Sequence, residues 1–205
     1  MGYTWTHLSA ITAAADPNRF LEVANGAMKN AAYTLTATLD MPEAGTARKL
    51  TLTHVTVAAG TDNPLGTVTV VGKNLAGETI TEVITPVADS LVNGTKWFKS
   101  VTTVTGAGWT AVGGTDTIVI GCGATAIVVE ASSGTVHGVA VNTTAAGAIT
   151  VADASGTIAS LKASIAEGMY PLDVQFSGYL AVTLAGASDI TVLHSGSRPA
   201  SYAMV

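Results

Sequence analysis

Charge is what this 205-residue sequence has least of: Asp, Glu, Lys and Arg make up 11% of it, with 14 acids against 9 bases and a net charge of −5. Soluble domains carry about 25%. The few bases are scattered, so the clustered Lys and Arg of a phosphate-tracking surface are missing and no nucleic-acid partner is expected. Cysteine is nearly absent too. The single Cys122 allows no intrachain disulfide and no zinc site of several thiolates, and its setting Ile118-Val119-Ile120-Gly121-Cys122 reads as a buried strand position. Long apolar runs are also lacking. The longest stretch free of charge, Ala131 to Ala152, holds Ser132, Ser133, Thr135, His137, Asn142, Thr143, Thr144 and Thr150, too polar for a spanning helix of about 20 residues. No basic residue precedes Arg19, so no signal peptide is expected. Met1-Gly2-Tyr3-Thr4-Trp5-Thr6 fits the N-myristoylation pattern formally, but Tyr3 and Trp5 are bulky and no polybasic segment follows. No membrane partner is expected.

What is present is small and β-branched. Ala (34), Thr (31), Val (23) and Gly (22) fill 110 of the 205 positions, and 48% of residues are hydrophobic, which excludes a disordered chain. Asp16-Pro17 reads as the start of a short helix, with Phe20, Val23, Ala24 and Ala27 at i, i+3, i+4 and i+7 and Asn25-Gly26 ending it. Residues 1 to 15 read as an arm. From Tyr33 the period changes to 2, in Thr-, Val- and Ile-rich runs separated by Gly, Asn and Asp. Strands are predicted over Tyr33 to Leu39, Lys49 to Ala58, Thr67 to Val71, Thr79 to Thr85, Lys96 to Thr105 and Thr117 to Gly121. Seven more follow over Thr125 to Ala131, Thr135 to Asn142, Ala148 to Ala152, Thr157 to Leu161, Leu172 to Phe176, Leu180 to Leu184 and Ile190 to His194. Turns are expected at Lys73 to Gly77, Asn93-Gly94, Gly113-Gly114 and Ser177-Gly178. A slip of period between Leu52 and Val55 suggests a bulge near His54.

The expected fold is all-β: an antiparallel sandwich or jelly-roll-like architecture in two β modules behind an N-terminal arm with a short helix. The boundaries are residues 1–32 for the arm, 33–122 for the first module and 123–205 for the second. One continuous larger sandwich is the alternative.

Signatures of chemistry are scarce. His7, His54, His137 and His194 lie far apart, without a second ligand at i+2 or i+4, and read as strand histidines; His137 falls in phase with Val139 and Val141, and His194 with Ile190 and Val192. Asp62, Asp116, Asp153 and Asp189 adjoin predicted loops, where Asp caps turns, and they lack calcium-loop spacing. There is no Gly-x-Ser-x-Gly elbow, phosphate loop or dinucleotide fingerprint. Neither enzymatic activity, cofactor nor metal is expected. Aromatics are few, at 5%, so their positions carry weight. Trp97 and Phe98 must face opposite sides of one strand, one to the core and one outward. Trp5, Trp97, Phe98 and Trp109 are the candidate interface residues. Asn93-Gly94-Thr95 and Asn142-Thr143-Thr144 are formal sequons without a secretory context.

A surface of Thr, Ser, Ala and Gly has little charge to oppose association of strand edges, which suits a protein packed against copies or a scaffold. The run Gly66-Thr67-Val68-Thr69-Val70-Val71-Gly72-Lys73-Asn74-Leu75-Ala76-Gly77-Glu78-Thr79-Ile80-Thr81-Glu82-Val83-Ile84-Thr85-Pro86, followed by Gly94-Thr95-Lys96-Trp97-Phe98-Lys99-Ser100-Val101-Thr102-Thr103-Val104-Thr105-Gly106, resembles the β modules of tailed-bacteriophage virion proteins. The resemblance covers roughly Arg48 to Gly123, and more loosely Thr125 to Ser195. Such proteins include capsid decoration or cement proteins, head fibres and tail-associated parts, so it implies a structural protein of the virion, and the favoured expectation is one on the phage head that decorates or cements the capsid by bridging major capsid subunits. The partners it implies are the major capsid protein and further copies of the chain, as a homo-oligomer such as a trimer. The alternative is a tail- or fibre-associated module that binds a host-surface carbohydrate, with Trp109 or Tyr179 as platform.

Overall fold

The computed structural model describes residues 3–11, 16–37, 39–42, 45–55, 65–110, 116–123 and 126–196, side chains of 9–11 excepted. The described residues form fifteen β-strands and a single 3-10 turn, and every strand pairing is antiparallel. The chain makes two compact units: a central one over Ala14–Thr125, and a C-terminal one that joins Ala126–Val205 to Met1–Ala13. The first thirteen residues thus belong with the C-terminal unit, and the rest of the expected arm belongs with the central one.

In the central unit, one sheet has the order β2 (Asp16–Leu21), β8 (Thr117–Cys122), β3 (Arg48–Val55), β6 (Leu91–Phe98). The other runs β5 (Thr79–Ile84), β4 (Thr67–Lys73), β7 (Ser100–Ala107). Their inward residues meet in one core, with Leu50, Leu52, Phe98, Ile118 and Ile120 from the first and Val68, Val70, Val101 and Val104 from the second. Thr and Val alternate along β4, so its apolar set faces one way.

Five segments of the central unit differ from their sequence expectation. Asp16–Leu21 is a strand followed by a 3-10 turn at Val23–Asn25, not a helix. Of the helical stripe only Phe20 is buried, while Val23, Ala24 and Ala27 are exposed. So short an amphipathic segment is marginal as a helix in water, and pairing with β8 buries Phe20 and Leu21 together. Residues 33–37 form no strand, although Tyr33 is core and its amide donates to the Val104 carbonyl. β3 keeps unbroken register with β8 from Leu50 to Val55; His54, not Val55, takes the inward place, and the irregularity lies between Lys49 and Thr51 on the β6 side. Lys96 to Thr105 is two strands, broken at Lys99, so that one run serves both sheets. Asn93-Gly94 lies inside β6, not in a turn, and the missing Cβ of Gly94 leaves room for the Glu82 carboxylate. The predicted Gly113-Gly114 turn and the tail of the predicted strand beyond Val55 fall outside the described residues.

In the C-terminal unit, one sheet runs β1 (Thr4–Ile11), β15 (Ser188–Gly196), β10 (Gly134–Val141), β13 (Gly168–Phe176). The second runs β12 (Gly156–Leu161), β11 (Ile149–Asp153), β14 (Leu180–Leu184), β9 (Ile127–Glu130). Leu8, Val136, Val139, Ile190 and Val192 of the first pack against Ile127, Ile149, Val151, Leu180 and Val182 of the second. This is a β-sandwich with one face of each sheet buried.

Candidate functional site

The outer face of the first C-terminal sheet gathers the side chains with chemistry to offer. Along β1, Thr6 and Leu8 turn inward while Tyr3, Trp5 and His7 point out; Tyr3 is 66% exposed and Trp5 61%. Trp5 stands opposite Leu193 of β15, and His7 opposite Thr191. His7 Nε2 lies 2.8 Å from Asp189 Oδ1, which also accepts from Asn142 Nδ2 at 2.9 Å. The Asn142 bond first, and His7 second, hold the Asp189 carboxyl below its ordinary range.

Beside them two irregular strands bring a second set together. The register of β10 with both its neighbours skips His137, and β13 spends Leu172 and Asp173 opposite that point, with Asp173 in the left-handed region at φ 49°. A bulge re-aims the side chain it carries. His137 is therefore out of phase with Val139 and points outward, and it is a partly buried, hydrogen-bonded strand histidine as expected. Its Nδ1 lies 3.0 Å from Asp173 Oδ1, and its Nε2 lies 3.1 Å from Ser195 Oγ. The ring of Tyr3 packs edge-on against His137, with centroids 5.0 Å apart. Ser195 also lines a pocket of about 280 Å3 with Ser133, Gly134, Thr135, Gln175, Phe176 and Gly196.

Behind Ser195, His194 faces the core at 1% exposure. Its Nε2 is 3.0 Å from Thr6 Oγ1, which ties β1 to β15, while its Nδ1 has no partner within hydrogen-bond reach. Burial pulls this imidazole below its ordinary pKa, against the opposing field of Glu130.

Nothing known matches the chain: no family model, no curated protein and no solved structure. The site is therefore read from its own chemistry. Of the four predicted interface residues, only Trp5 is an exposed anchor. Trp97 faces outward but is half-buried, with the Lys49 ammonium 5.0 Å above its ring. Phe98 is fully buried against Gly72, and Trp109 is core, seated over Gly66 and Gly106, whose missing Cβ atoms make room for its indole. Asn30 clamps that loop, donating to the Trp109 carbonyl at 2.9 Å and accepting from its amide at 2.8 Å. Phe98 and Trp109 thus anchor the core, since each faces a glycine-made slot. No group of three or more His, Cys, Asp or Glu side chains able to hold a metal occurs among the described residues, and no described helix is long and apolar enough to cross a membrane. Spacing missed the set of His137, Asp173 and Ser195, because 36 and 58 residues separate its partners.

Proposed function

We propose that this protein is a structural component of a tailed-phage virion that decorates the head, bridging major capsid subunits as an oligomer. The observation that carries the reading is β1, an edge strand among the described residues, with no Lys, Arg, Asp, Glu or Pro over Thr4–Ile11 and with Tyr3 and Trp5 exposed on the outer face of its sheet. Edges normally carry charge, proline or a bulge against unwanted pairing. The opposite edge of the same sheet, β13, has Pro171 and the Asp173 bulge; β1 has no charge or proline, and its one irregularity, between Leu8 and Ile11, leaves Thr4–Leu8 in regular register with β15. A strand left open suits pairing with another chain. Antiparallel pairing of two β1 strands about Thr6 would set Trp5 against the partner's His7. The central unit has its own exposed apolar residues, Val55 at 39%, Val87 at 54% and Leu91 at 50%, set about the turn that leads into β6. Two sandwiches, each with an apolar patch, suit a bridging role, and binding across several subunits stabilises the shell geometry that presents them.

The test is to mix the protein with expanded, undecorated phage heads, count bound copies per shell by gel densitometry, and measure its mass in solution by light scattering. Saturation at a multiple set by the lattice, an oligomer in solution, and loss of that oligomer in Trp5→Lys are expected. A monomer that stays off the heads and is recovered with tails would overturn the reading. A carbohydrate-binding module is the second reading, favoured by Tyr3 and Trp5 standing on a face rich in hydrogen-bonding groups such as His7, Asn142 and Asp189. Its expected platform moves to these two residues, because Trp109 is buried and Tyr179 half-buried. Quenching of tryptophan emission by host polysaccharide, lost in Trp5→Ala, is its signature.

A further inference from the structure

We infer that Ser195, His137 and Asp173 form a nucleophilic site that takes acyl groups from small uncharged esters. This goes beyond the structural role and does not depend on it. A serine hydroxyl becomes a nucleophile when a base lies within hydrogen-bond reach and a third group orients that base. Here the two spacings are 3.1 Å from Ser195 Oγ to His137 Nε2 and 3.0 Å from His137 Nδ1 to Asp173 Oδ1. A carboxylate only accepts, so the Nδ1 proton points to Asp173, and Nε2 is left to accept the Ser195 hydroxyl proton. The arrangement comes from strands β10, β13 and β15 and is recognised by geometry, not by order in the chain.

Two backbone irregularities at one place create it. The β10 bulge turns His137 outward toward Ser195, and the left-handed Asp173, one of three described non-glycine residues at positive φ, brings its carboxylate to the far side of the ring. Such conformations cluster where structure serves function. Ser195, buried at 6% exposure, lines the pocket of about 280 Å3, just below the usual size of ligand sites. The lining is Phe176 plus neutral polar groups, which fits a short acyl chain and offers no cation for a carboxylate. Gln175, exposed, carries the side-chain amide of that lining. In the reaction, Ser195 Oγ bonds to the ester carbonyl carbon while its proton passes to His137 Nε2. The C–O bond to the alcohol then breaks, and the alcohol leaves with that proton. Water, deprotonated by the same nitrogen, releases the acid and restores Ser195.

The test uses the full chain and a small alkyl fluorophosphonate, which forms an O–P bond to an activated serine as the P–F bond breaks and fluoride leaves. Intact-mass and peptide mapping are expected to show one adduct per chain, at Ser195, absent from Ser195→Ala and from urea-unfolded protein. His137→Gln is expected to slow labelling roughly a hundredfold or more. Asp173→Asn, at a largely exposed position, keeps the fold and slows labelling too. p-Nitrophenyl acetate turnover is expected to fall in parallel. No adduct, an adduct elsewhere, or equal labelling rates in wild type, His137→Gln and Asp173→Asn would overturn the assignment. These two variants keep Ser195 in place, so the conclusion stands even where Ser195→Ala folds poorly.

Discussion

Replacing Gly121 by Ala tests how β2, the strand that stands where a helix is predicted, is held. Gly121 sits in β8 facing the backbone of β2: a Cβ there would run into the Asp16 carbonyl oxygen and stand 2.6 Å from that of Pro17. Ordinary carbon contacts lie near 3.5–4.0 Å, so β2 must withdraw by about 1 Å or more. Neither obstacle is a flexible side chain, and Pro17 cannot adjust its φ freely. If β2 shifts and stays, the cost is that of overpacking, about 1–3 kcal/mol. If its end lifts away, Phe20 and Leu21, both fully buried, lose their cover, at about 1.5–3 kcal/mol each, or roughly 3–6 kcal/mol together. The expected loss thus lies between about 1 and 6 kcal/mol, a large part of a domain's usual stability. Urea unfolding followed by the emission of buried Trp109 measures it, and hydrogen exchange over residues 16–21 separates the two outcomes. Gly77→Ala is the control. Gly77 has φ +85° and open space around it, so only conformational strain of about 1–2 kcal/mol is expected. A Gly121→Ala protein within about 0.5 kcal/mol of wild type, with unchanged exchange in β2, would refute the close approach of the two backbones.

His194 supplies a pH dependence: its pKa is lowered in the fold from the ordinary 6.5, chiefly by burial, so the unfolded chain binds a proton that the native one refuses. Stability of the C-terminal unit is expected to fall as pH drops below about 6.5, through the window down to the native pKa, and His194→Asn should flatten that slope in unfolding curves from pH 8 to 5. Cys122 is fully buried, and desolvation raises its thiol pKa, so it should resist a disulfide reagent in native protein and react at once in urea. Asn30→Ala removes both bonds to the Trp109 backbone and should cost about 2 kcal/mol, with a red shift of tryptophan emission as the loop opens.

Periodicity made the all-β class legible because alternation such as Thr67-Val68-Thr69-Val70 is a property of single strands, each with one face in a core. What it misread were places where distant partners decide. Phe20-Leu21 has a helical neighbourhood in sequence, yet Ile120 across the sheet supplies the pairing. Lys96 to Thr105 is one uninterrupted run without Gly, Pro, Asn or Asp, but at the polar Lys99 the chain changes sheets. The aromatics show the same limit. Phe98 and Trp109 are as conspicuous in sequence as Trp5, and only the glycines opposite them, Gly72, Gly66 and Gly106, tell core from surface. The set at His137 was invisible for a sharper reason: a bulge reverses the parity on which every inward or outward assignment rests.

Strand β1 serves two ends with its two faces. It is the first segment of the chain, yet it closes a sheet built from the last seventy residues, with Leu8 in that core and Thr6 bonded to His194. A module cut at residue 123 would therefore lack a core residue and the partner of a buried imidazole, and would expose the edge of β15. The same strand has a second edge, unpaired among the described residues and without Lys, Arg, Asp or Glu, and places Tyr3 over His137 and Trp5 in solvent. An exposed tryptophan on an uncharged edge is an association hazard for a free monomer. In a protein meant to be covered, the same feature is a docking element whose placement is fixed by its inner face. The inner face of β1 thus holds the fold, and under the proposed function the outer one is left for a partner, so a charge placed at Trp5 should separate assembly from folding, whereas Leu8 belongs to both.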